Sequence, residues 1–213
     1  MFMSKVYFLG GEDVAKRDSK EINKRAFIDA GGTPDVLIFP WTAKSVDRSD
    51  EYRKIMIDYF KDLGACTVDF AEYSESSEQI AEKAERSDLI YLPGGLTTVL
   101  VERIRNKNVD DLLRNYPRVI VGRSAGALAL CKECILTRNR DNPVTMIITG
   151  IRLVDFRIKV HYNFSKDNEL KKLSKQGKIY GIPERSALVY NGGILSFIGN
   201  VYLFQEGRKT RAG

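Results

Sequence analysis

Histidine is nearly absent from this sequence, since its 213 residues include one, His161. Cysteine is also scarce, and an odd count of three is typical of a protein from a reducing compartment. Cys131 and Cys134 have the spacing of a redox or zinc pair, but neither a second cysteine pair nor nearby histidines accompany them. We therefore interpret both as buried residues on the core side of the helix that follows the central strand. We predict no metal site and no cofactor.

A long hydrophobic run is missing as well. No segment approaches the roughly 18 apolar residues that a membrane-spanning helix needs, and the first residues show no signal-peptide pattern. We therefore expect a cytoplasmic protein with no membrane partner. The net charge is +6, but the basic residues are spread over the chain, so we expect no nucleic-acid partner. One basic cluster, Arg208–Arg211, is interpreted as a frayed C-terminal end.

Short apolar segments alternate with amphipathic segments over the first part of the chain. The apolar segments predict strands, and the amphipathic segments have the apolar spacing of helices. This alternation predicts an α/β fold with a mostly parallel, doubly wound sheet and helices on both faces. The predicted strands are residues 5–9, 35–39, 66–70, 89–92 and 119–121.

Helix starts and the C-terminal third add detail to this prediction. Asp18 and Ser76 each stand three residues before a Glu or Gln, so each is predicted to begin a helix with a capping box. Beyond residue 143 the predicted strands follow one another closely, and Asn191-Gly192 predicts a hairpin turn. The C-terminal strands are therefore expected to be mixed or antiparallel. Because no linker, repeat or low-complexity segment interrupts the chain, we expect residues 1–213 to form one domain.

The central feature of the sequence is Gly122-Arg123-Ser124-Ala125-Gly126, which follows an apolar strand and precedes an Ala/Leu-rich helix. This G-x-S-x-G spacing between a strand and a helix is typical of a nucleophile elbow, which presents the serine hydroxyl at the carboxyl end of the strand. Glycine is expected on both sides because the strand and helix backbones leave no room for a Cβ. Ser124 is therefore the candidate nucleophile.

The turn Pro93-Gly94-Gly95 ends another predicted strand and precedes a helix. Free backbone N–H groups at such a turn bind anions, so a phosphate site is one interpretation. The sequence has neither the Walker lysine motif nor G-x-G-x-x-G, however. With a serine nucleophile one strand away, we expect an oxyanion hole, with the N–H groups of Gly95 and Ala125 as donors. An ordinary strand-to-helix turn is the alternative interpretation.

A serine hydroxyl needs a base, and His161 is the single imidazole that the chain offers. It follows a predicted strand at residues 157–160, and sites in open α/β sheets lie at such carboxyl ends. The third member of a triad is a carboxylate that orients the histidine. Glu184 also follows a predicted strand and is the preferred candidate, whereas Asp141, in the loop after the elbow helix, and Asp167 stay open.

These residues together resemble the peptidase E (aspartyl dipeptidase) and cyanophycinase family of serine peptidases, which has a class I glutamine amidotransferase-like fold. The resemblance covers most of the chain in order. Glutamine amidotransferases have a cysteine at the elbow, and the serine found here favours peptide hydrolysis over ammonia transfer. The matching segments are Leu92-Pro93-Gly94-Gly95, Gly122-Arg123-Ser124-Ala125-Gly126-Ala127, His161-Tyr162, and Gly181-Ile182-Pro183-Glu184 followed by Ala187-Leu188-Val189.

The resemblance implies a serine peptidase in which Ser124 attacks the scissile carbonyl. His161 would act as general base and then as acid, and Glu184 would orient His161. In family accounts an aspartate after the elbow helix has also been assigned to the triad, but here Asn139 stands about where it would fall. That departure favours Glu184 and leaves Asp141 open.

The resemblance also implies a preference for peptides with an N-terminal aspartyl residue. An arginine soon after the histidine is expected to bind the acidic side chain, but residues 165–172 contain none. Arg123, inside the elbow, or Lys166 could take this role, and surface charge is the other interpretation of both. The expected substrate is a short N-aspartyl or otherwise acidic peptide. The protein is expected to be a monomer or a homodimer.

Two other functions stay open. The same elbow could serve a small acyl hydrolase or esterase, although an HGGG-type loop is absent. The order serine, histidine, acid also differs from the serine, acid, histidine order of α/β-hydrolases, an objection that weakens if Asp141 is the acid. A non-catalytic binding or sensor protein could keep the same fold and pocket, because fold alone does not determine function.

Overall fold

The structure is a computed structural model that describes residues 4–45, 49–138 and 143–212. Its strands are β1 (Lys5–Leu9), β2 (Asp35–Ile38), β3 (Thr67–Phe70), β4 (Leu89–Leu92), β5 (Val119–Arg123), β6 (Glu133–Leu136), β7 (Met146–Thr149), β8 (Arg157–Lys159), β9 (Ile179–Gly181), β10 (Ala187–Asn191), β11 (Ile194–Ile198), β12 (Tyr202–Gln205) and β13 (Arg208–Arg211). Its α-helices are α1 (Lys20–Asp29), α2 (Asp50–Leu63), α3 (Ser77–Arg86), α4 (Thr97–Asn106), α5 (Asp110–Asn115), α6 (Ala125–Leu130) and α7 (Asp167–Leu173).

The central sheet has seven strands in the order β11-β10-β1-β5-β4-β2-β3. The five strands from β1 to β3 in this order run parallel, whereas β10 and β11 are antiparallel and complete one edge. A tight turn at Gly192 and Gly193, both with positive φ, joins β10 to β11. The predictions of a mostly parallel sheet and of a hairpin at Asn191-Gly192 are confirmed.

Helices cover both faces of the central sheet. Successive side chains of a strand point to opposite faces, so Val6 and Phe8 of β1 join one hydrophobic core, and Tyr7 and Leu9 join the other. Helices α3, α4 and α6 pack on the first core, and α1 and α2 pack on the second. Burial of both faces explains why the parallel strands are continuously apolar, and it confirms the predicted α/β architecture.

A second sheet brings the C-terminal part of the chain to the carboxyl end of β1. Its strand order is β13-β12-β9-β8, and β8 runs parallel to β9. Just beyond these two strands, the N–H of His161 donates to the carbonyl of Gly10 at 2.8 Å, and the N–H of Tyr162 donates to the carbonyl of Ile182 at 3.1 Å. The ends of β1, β5, β4, β8 and β9 therefore supply the segments that build the site.

The interpretation of the basic cluster at the C-terminus as a frayed end was wrong. Its residues form β13, which pairs antiparallel with β12. The ammonium of Lys209 lies 4.2 Å from the centre of the Phe164 ring and donates to Asp167 at 3.0 Å. These contacts combine a cation–π interaction with an ion pair, and they hold β13 against Phe164 and the start of α7.

One of the two predicted capping boxes is present. The Ser76 hydroxyl accepts from the N–H of Gln79 at 3.3 Å, and the Gln79 side chain accepts from the N–H of Ser76 at 2.9 Å. The prediction for Asp18 was wrong, because Ser19 is the residue that precedes α1. The Asp18 carboxylate instead accepts from the N–H of Asp13 at 3.0 Å, within the loop before the helix.

The helix after β5 is shorter than predicted. It ends at Leu130, so Cys131 follows it and Cys134 lies in β6. The helix ends there because Cys131 turns into extended backbone and forms a β-bridge with Val154. Both thiols are buried, as the sequence indicated, but the expectation that they lie on the helix was wrong.

Candidate active site

Ser124 lies on the sharp turn between β5 and α6. Its backbone has φ 50° and ψ −106°, a conformation that residues with a Cβ rarely adopt. The N–H of Ser124 donates to the carbonyl of Leu9 at 3.1 Å, and its carbonyl accepts from the N–H of Leu128 at 3.0 Å. These two bonds tie the turn to the end of β1 and to the first turn of α6.

Glycine is required on both sides of Ser124. A Cβ at Gly126 would lie 2.0 Å from the carbonyl oxygen of Leu92, and a Cβ at Gly122 would lie 2.8 Å from the backbone of Ala127. Both distances are shorter than a carbon atom tolerates in a packed interior. The helix can therefore approach β4 and β5 closely, and the structure agrees with the sequence-based reason for both glycines.

His161 follows β8 and reaches Ser124. The distance from Ser124 Oγ to His161 Nε2 is 2.5 Å, which is a hydrogen bond. The backbone of His161 has φ 49°, so the residue turns out of the strand direction at this point. Its side chain is 48% exposed, and a molecule in solution can therefore reach the Ser124–His161 pair.

Glu184 lies just beyond β9 and pairs with the other ring nitrogen of His161, Nδ1. This pairing assigns the proton to Nδ1 and leaves Nε2 to accept the proton of the Ser124 hydroxyl. The hydrogen bond with His161 lowers the pKa of Glu184, although partial burial opposes the shift. Gly11 makes room for the carboxylate, because a Cβ there would lie 2.1 Å from Glu184 Oε2.

The other two candidate acids have different positions. Asp141 lies outside the described residues, as does Asn139. Asp167 lies at the start of α7, where its carboxylate accepts from the Tyr162 hydroxyl and the Lys209 ammonium. Of the acids described in the structure, Glu184 is therefore the one in contact with the histidine.

Gly95 and Ala125, the predicted oxyanion donors, both adjoin Ser124. Gly95 has φ 142°, and a Cβ there would lie 2.5 Å from the carbonyl oxygen of Thr42, so this turn also requires glycine. Gly94 and Gly95 line a cavity of about 230 Å³ together with Ser124. Ala125 is the first residue of α6, where backbone N–H groups have no intrahelical acceptor. The role of these two N–H groups stays a prediction.

Arg123 lines the same small cavity and a wider one of about 700 Å³. One of its terminal nitrogens donates to the carbonyl of Glu12 at 3.2 Å, whereas its buried Nε has no hydrogen-bond partner among the described residues. Burial opposes its charge, but the neighbouring Tyr91 and Glu12 side chains raise the pKa of Arg123 above its usual value. A guanidinium cation therefore lines the cavity beside Ser124.

Glu12 lines both of these cavities and was missed by the sequence reasoning. The available signal was its position after Gly10-Gly11 at the carboxyl end of β1. The Tyr59 hydroxyl and the Asn23 amide donate to its carboxylate. Burial raises the pKa of Glu12, although these bonds and the nearby Arg123 oppose the shift. An acidic side chain and a cation therefore lie together next to Ser124.

A further cavity of about 560 Å³ also borders Ser124 and His161, and Lys159 and Lys166 lie in its wall. The ammonium of Lys166 donates to the carbonyl of Arg138 at 2.5 Å and lies 3.7 Å from the Glu169 carboxylate. Lys159 was missed by the sequence reasoning, although it stands two residues before His161. Burial lowers the pKa of Lys159 to about 8, with the nearby Lys166 adding to the shift.

An α/β sheet with a serine on a strand-to-helix elbow, bonded to a histidine that faces a carboxylate, is the arrangement of a serine hydrolase. The family of the chain agrees with that class. The chain belongs to peptidase family S51, whose family model matches residues 8–198. It is accordingly a peptidase, a hydrolase of peptide bonds.

Individual relatives are similar over most of their length. Peptidase E from Haemophilus influenzae is 27% identical over 172 residues, which is 73% of this chain and 76% of that protein. An uncharacterized peptidase from Listeria monocytogenes is 23% identical over 163 residues, 71% of this chain and 80% of that protein. The crystal structure of a peptidase from an acI-B1 actinobacterium shares the fold with a TM-score of 0.77 at 20% identity, covering 98% of this chain and 93% of the other.

The described residues include neither a helix suited to a membrane nor a cluster of metal-binding side chains. None of the helices within residues 4–45, 49–138 and 143–212 is long and apolar enough to cross a membrane. The same residues contain no group of three or more His, Cys, Asp or Glu side chains that could hold a metal ion.

Proposed function

We propose that this protein is a serine-type peptidase that hydrolyses short peptides with an acidic N-terminal residue, and that Ser124, His161 and Glu184 form its triad. The observation that carries the proposal is the continuous chain of hydrogen bonds from Ser124 Oγ through both ring nitrogens of His161 to the Glu184 carboxylate. Membership of a peptidase family supports the peptide bond as the target.

In the proposed reaction, His161 Nε2 takes the proton of the Ser124 hydroxyl as Oγ attacks the scissile carbonyl. The N–H groups of Gly95 and Ala125 hold the negative oxygen of the tetrahedral intermediate. His161 then gives the proton to the leaving amine, which departs and leaves an acyl group on Ser124. A water molecule deprotonated by the same histidine hydrolyses this ester and restores the hydroxyl.

Glu184 acts through His161 in this scheme. Its carboxylate keeps the proton on Nδ1 and stabilises the imidazolium that forms when His161 takes the second proton. The low pKa of Glu184 supports this role, because the side chain stays ionised when an ordinary glutamate begins to be protonated. Half of the side chain is exposed, so its charge is partly screened by solvent.

Arg123 is the best-supported group for an acidic substrate side chain. Its guanidinium lines the cavity next to Ser124, and a carboxylate can accept two parallel hydrogen bonds from an arginine. An N-aspartyl peptide carries an ammonium group as well as this carboxylate, and the Glu12 carboxylate in the same cavity complements that ammonium. Lys166, the other candidate, already contacts Arg138 and Glu169.

The two alternative functions make different predictions at Ser124. A small acyl hydrolase would use the same nucleophile on esters and would not need an acidic N-terminal residue. A binding or sensor protein would hold the peptide without turnover. Because Glu184 follows His161 in the chain, the residue order still differs from that of the α/β-hydrolases.

The test is hydrolysis of a dipeptide panel by the wild-type protein and by Ser124→Ala. We expect Asp-Leu to be cleaved well and its isosteric counterpart Asn-Leu poorly. We expect Ser124→Ala to lower kcat by about 10⁴-fold or more. Equal turnover by the two proteins would exclude Ser124 as the nucleophile. Equal cleavage of Asp-Leu and Asn-Leu would exclude acidic specificity while leaving a serine peptidase.

A fluorophosphonate probe separates the catalytic from the binding interpretation. The wild-type protein is expected to form a covalent adduct at Ser124, and Ser124→Ala is expected to form none. Turnover of p-nitrophenyl acetate in place of dipeptides would favour the acyl hydrolase. Peptide binding without labelling or turnover would favour the sensor protein.

A further inference from the structure

The two larger cavities that meet at His161 differ in charge. The 700 Å³ cavity has one cation, Arg123, among several carboxylates, whereas the described lining of the 560 Å³ cavity contains two lysines and no acidic side chain. Both cavities reach His161. The acidic residues of the first are Glu12, Asp13, Asp18 and Glu184, and the hydroxyl-bearing residues of the second are Thr97, Thr98, Ser124 and Thr137.

Lys159 is the unexplained cation in the second cavity. It is the last residue of β8, where its carbonyl accepts from the N–H of Ile182 at 2.8 Å, so its backbone is fixed in the sheet. Its ammonium makes no ion pair or side-chain hydrogen bond with the described residues. Glu169 and Glu184 are close enough to favour its charge, but Lys166 and burial oppose it. The Lys159 ammonium is therefore a cation in the cavity wall that a substrate carboxylate can pair with.

The difference in charge between the two cavities matches the opposite charges at the two ends of a short peptide. A free dipeptide has an ammonium at one end and a carboxylate at the other, with the scissile carbonyl between them. If the ammonium end lies in the acidic cavity with Glu12, the carboxylate end lies toward the cavity that contains Lys159. In a dipeptide this carboxylate is one residue beyond the scissile carbonyl, about 3.8 Å along the chain.

We propose that Lys159 binds the free C-terminal carboxylate of the leaving residue, and that this contact makes the enzyme select dipeptides. The inference rests on the proposed function, because it places the scissile carbonyl at Ser124. The hydroxyl groups of Thr97 and Thr98, in the same wall, are available as further donors to the carboxylate. A longer peptide has a neutral amide at this position and therefore offers the Lys159 ammonium no carboxylate.

The experiment compares two substrates that differ in this one charge, Asp-Leu and its C-terminal amide Asp-Leu-NH₂. We expect the wild-type KM for the amide to exceed that for the free acid by about tenfold or more, the usual effect of one charge-assisted hydrogen bond. The kcat values are expected to stay within a few-fold, since the contact is made equally before and during the reaction. Equal KM values for the two substrates would overturn the proposal without the need for any variant.

Substitutions of Lys159 test whether the difference in KM between the two substrates arises from this residue. Lys159→Met removes the ammonium at nearly constant volume and is expected to raise KM for the free acid to the value for the amide. It is expected to leave KM for the amide unchanged. Lys159→Arg should restore part of the preference for the free acid over the amide. Lys172→Met, an exposed lysine on α7 outside the cavity, is the matched control and should behave as wild type. An equal rise in KM for both substrates would show that Lys159 is merely structural.

Failure of the proposed function can be recognised separately. Calorimetric titration of Ser124→Ala with each of the two compounds measures affinity without turnover. Tighter binding of the free acid, lost in the double variant Ser124→Ala/Lys159→Met, supports the inference even if the wild-type protein hydrolyses neither. Equal binding of the two compounds, or binding of neither, contradicts it.

Discussion

Ser124, His161 and Glu184 follow the ends of three different strands, and each is positioned by the end of β1 or by the two glycines that follow it. Ser124 donates its N–H to the end of β1, and His161 donates its N–H to Gly10 just beyond that strand. Glu184 fits against Gly11, which has no side chain to displace it. The geometry of the proposed triad therefore depends on Gly10 and Gly11, which follow β1, as well as on the elbow at Ser124.

The identity of the acid can be tested at the residue scale. Glu184→Gln keeps the shape of the side chain but removes the charge that orients and stabilises His161. We expect kcat on Asp-Leu to fall by about 10³- to 10⁴-fold, as for other triads that lose their acid. Asp141→Asn is the control and is expected to retain activity. A large loss in Asp141→Asn with little change in Glu184→Gln would reverse the assignment.

KM for Asp-Leu is expected to depend on pH, because the proposed contact requires the charged form of Lys159. The pKa of Lys159 is lowered to about 8, so its ammonium is present below pH 8 and is lost above it. The charged and titratable groups around it are His161, Lys166, Glu169 and Glu184. We expect KM for Asp-Leu to rise as the pH increases through about 8, by about tenfold in all.

The amide substrate provides the control for this pH profile. The N-terminal amine of either substrate also titrates near pH 8, but its contribution is common to both and cancels in the ratio of their KM values. The ratio of the amide KM to the acid KM should therefore fall with rising pH in the wild-type protein. It should stay flat in Lys159→Met. A pH-dependent ratio that persists in this variant would assign the titration to another group.

The proposed catalytic residues could be found in the sequence because each has a local signature. Ser124 stands in a glycine-flanked turn, His161 is the single imidazole, and Glu184 follows an apolar strand. Glu12 and Lys159 could not be found in the same way. Their importance depends on burial by segments distant in sequence, and a charged residue near a strand end is more often solvated.

At the scale of elements, the elbow depends on the close approach of α6 to β4 and β5. Gly126→Ala would place a methyl group 2.0 Å from the carbonyl oxygen of Leu92, which belongs to the backbone and cannot move aside alone. We expect a loss of stability of about 3 kcal/mol, near the upper end for overpacked interiors. The measurement is thermal unfolding, in which Tm should fall by roughly 6–12 °C for a chain of this size.

Gly94→Ala is the matched control for this substitution. Its added methyl group would lie no closer than 3.4 Å to the side chains of Arg123 and Ser124, which is an ordinary contact. We expect its Tm to stay within roughly 2 °C of wild type, a change in stability below about 1 kcal/mol. A similar fall in Tm for both variants would show that these turns need glycine for its backbone conformation. It would contradict the explanation that a Cβ at Gly126 has no room.

Elements with local signals were predicted, and those that depend on distant partners were not. The capping box of Ser76 lies within four consecutive residues and was found. Strand β13 is basic and exposed, and it is ordered by Lys209 contacts with Phe164 and Asp167 that no local pattern indicates. The helix after β5 was extended too far because Cys131 pairs with Val154, well along the chain.

At the scale of the whole molecule, the central sheet lies between two hydrophobic cores, one on each of its faces. The alternation of strand and helix was enough to predict this architecture. The order of the strands could not be predicted, because β10 and β11 join the edge beside β1 from the far end of the chain. The second sheet was missed as a unit for the same reason, although most of its strands were expected.

The position of two of the cysteines in the hydrophobic core predicts which thiols react. Cys131 and Cys134 are buried and burial raises the pKa of both, so their thiolate forms are scarce, whereas Cys66 is exposed. We expect Ellman's reagent to titrate one thiol in the native protein and three after denaturation. Cys66→Ser should leave no rapidly reacting thiol. Rapid reaction of a second thiol in the native protein would contradict the packing around α6 and β6.

The backbone of Ser124 has a consequence for evolution and engineering, since it implies a trade-off between activity and stability at a single position. A left-handed φ at a residue with a Cβ costs on the order of 1–3 kcal/mol. Glycine would relieve that strain, so Ser124→Gly is expected to unfold at a higher temperature than Ser124→Ala, although neither has a nucleophile. Selection for activity is therefore expected to retain Ser124 although its backbone strain lowers stability. A descendant that had lost activity could replace Ser124 with glycine and gain stability.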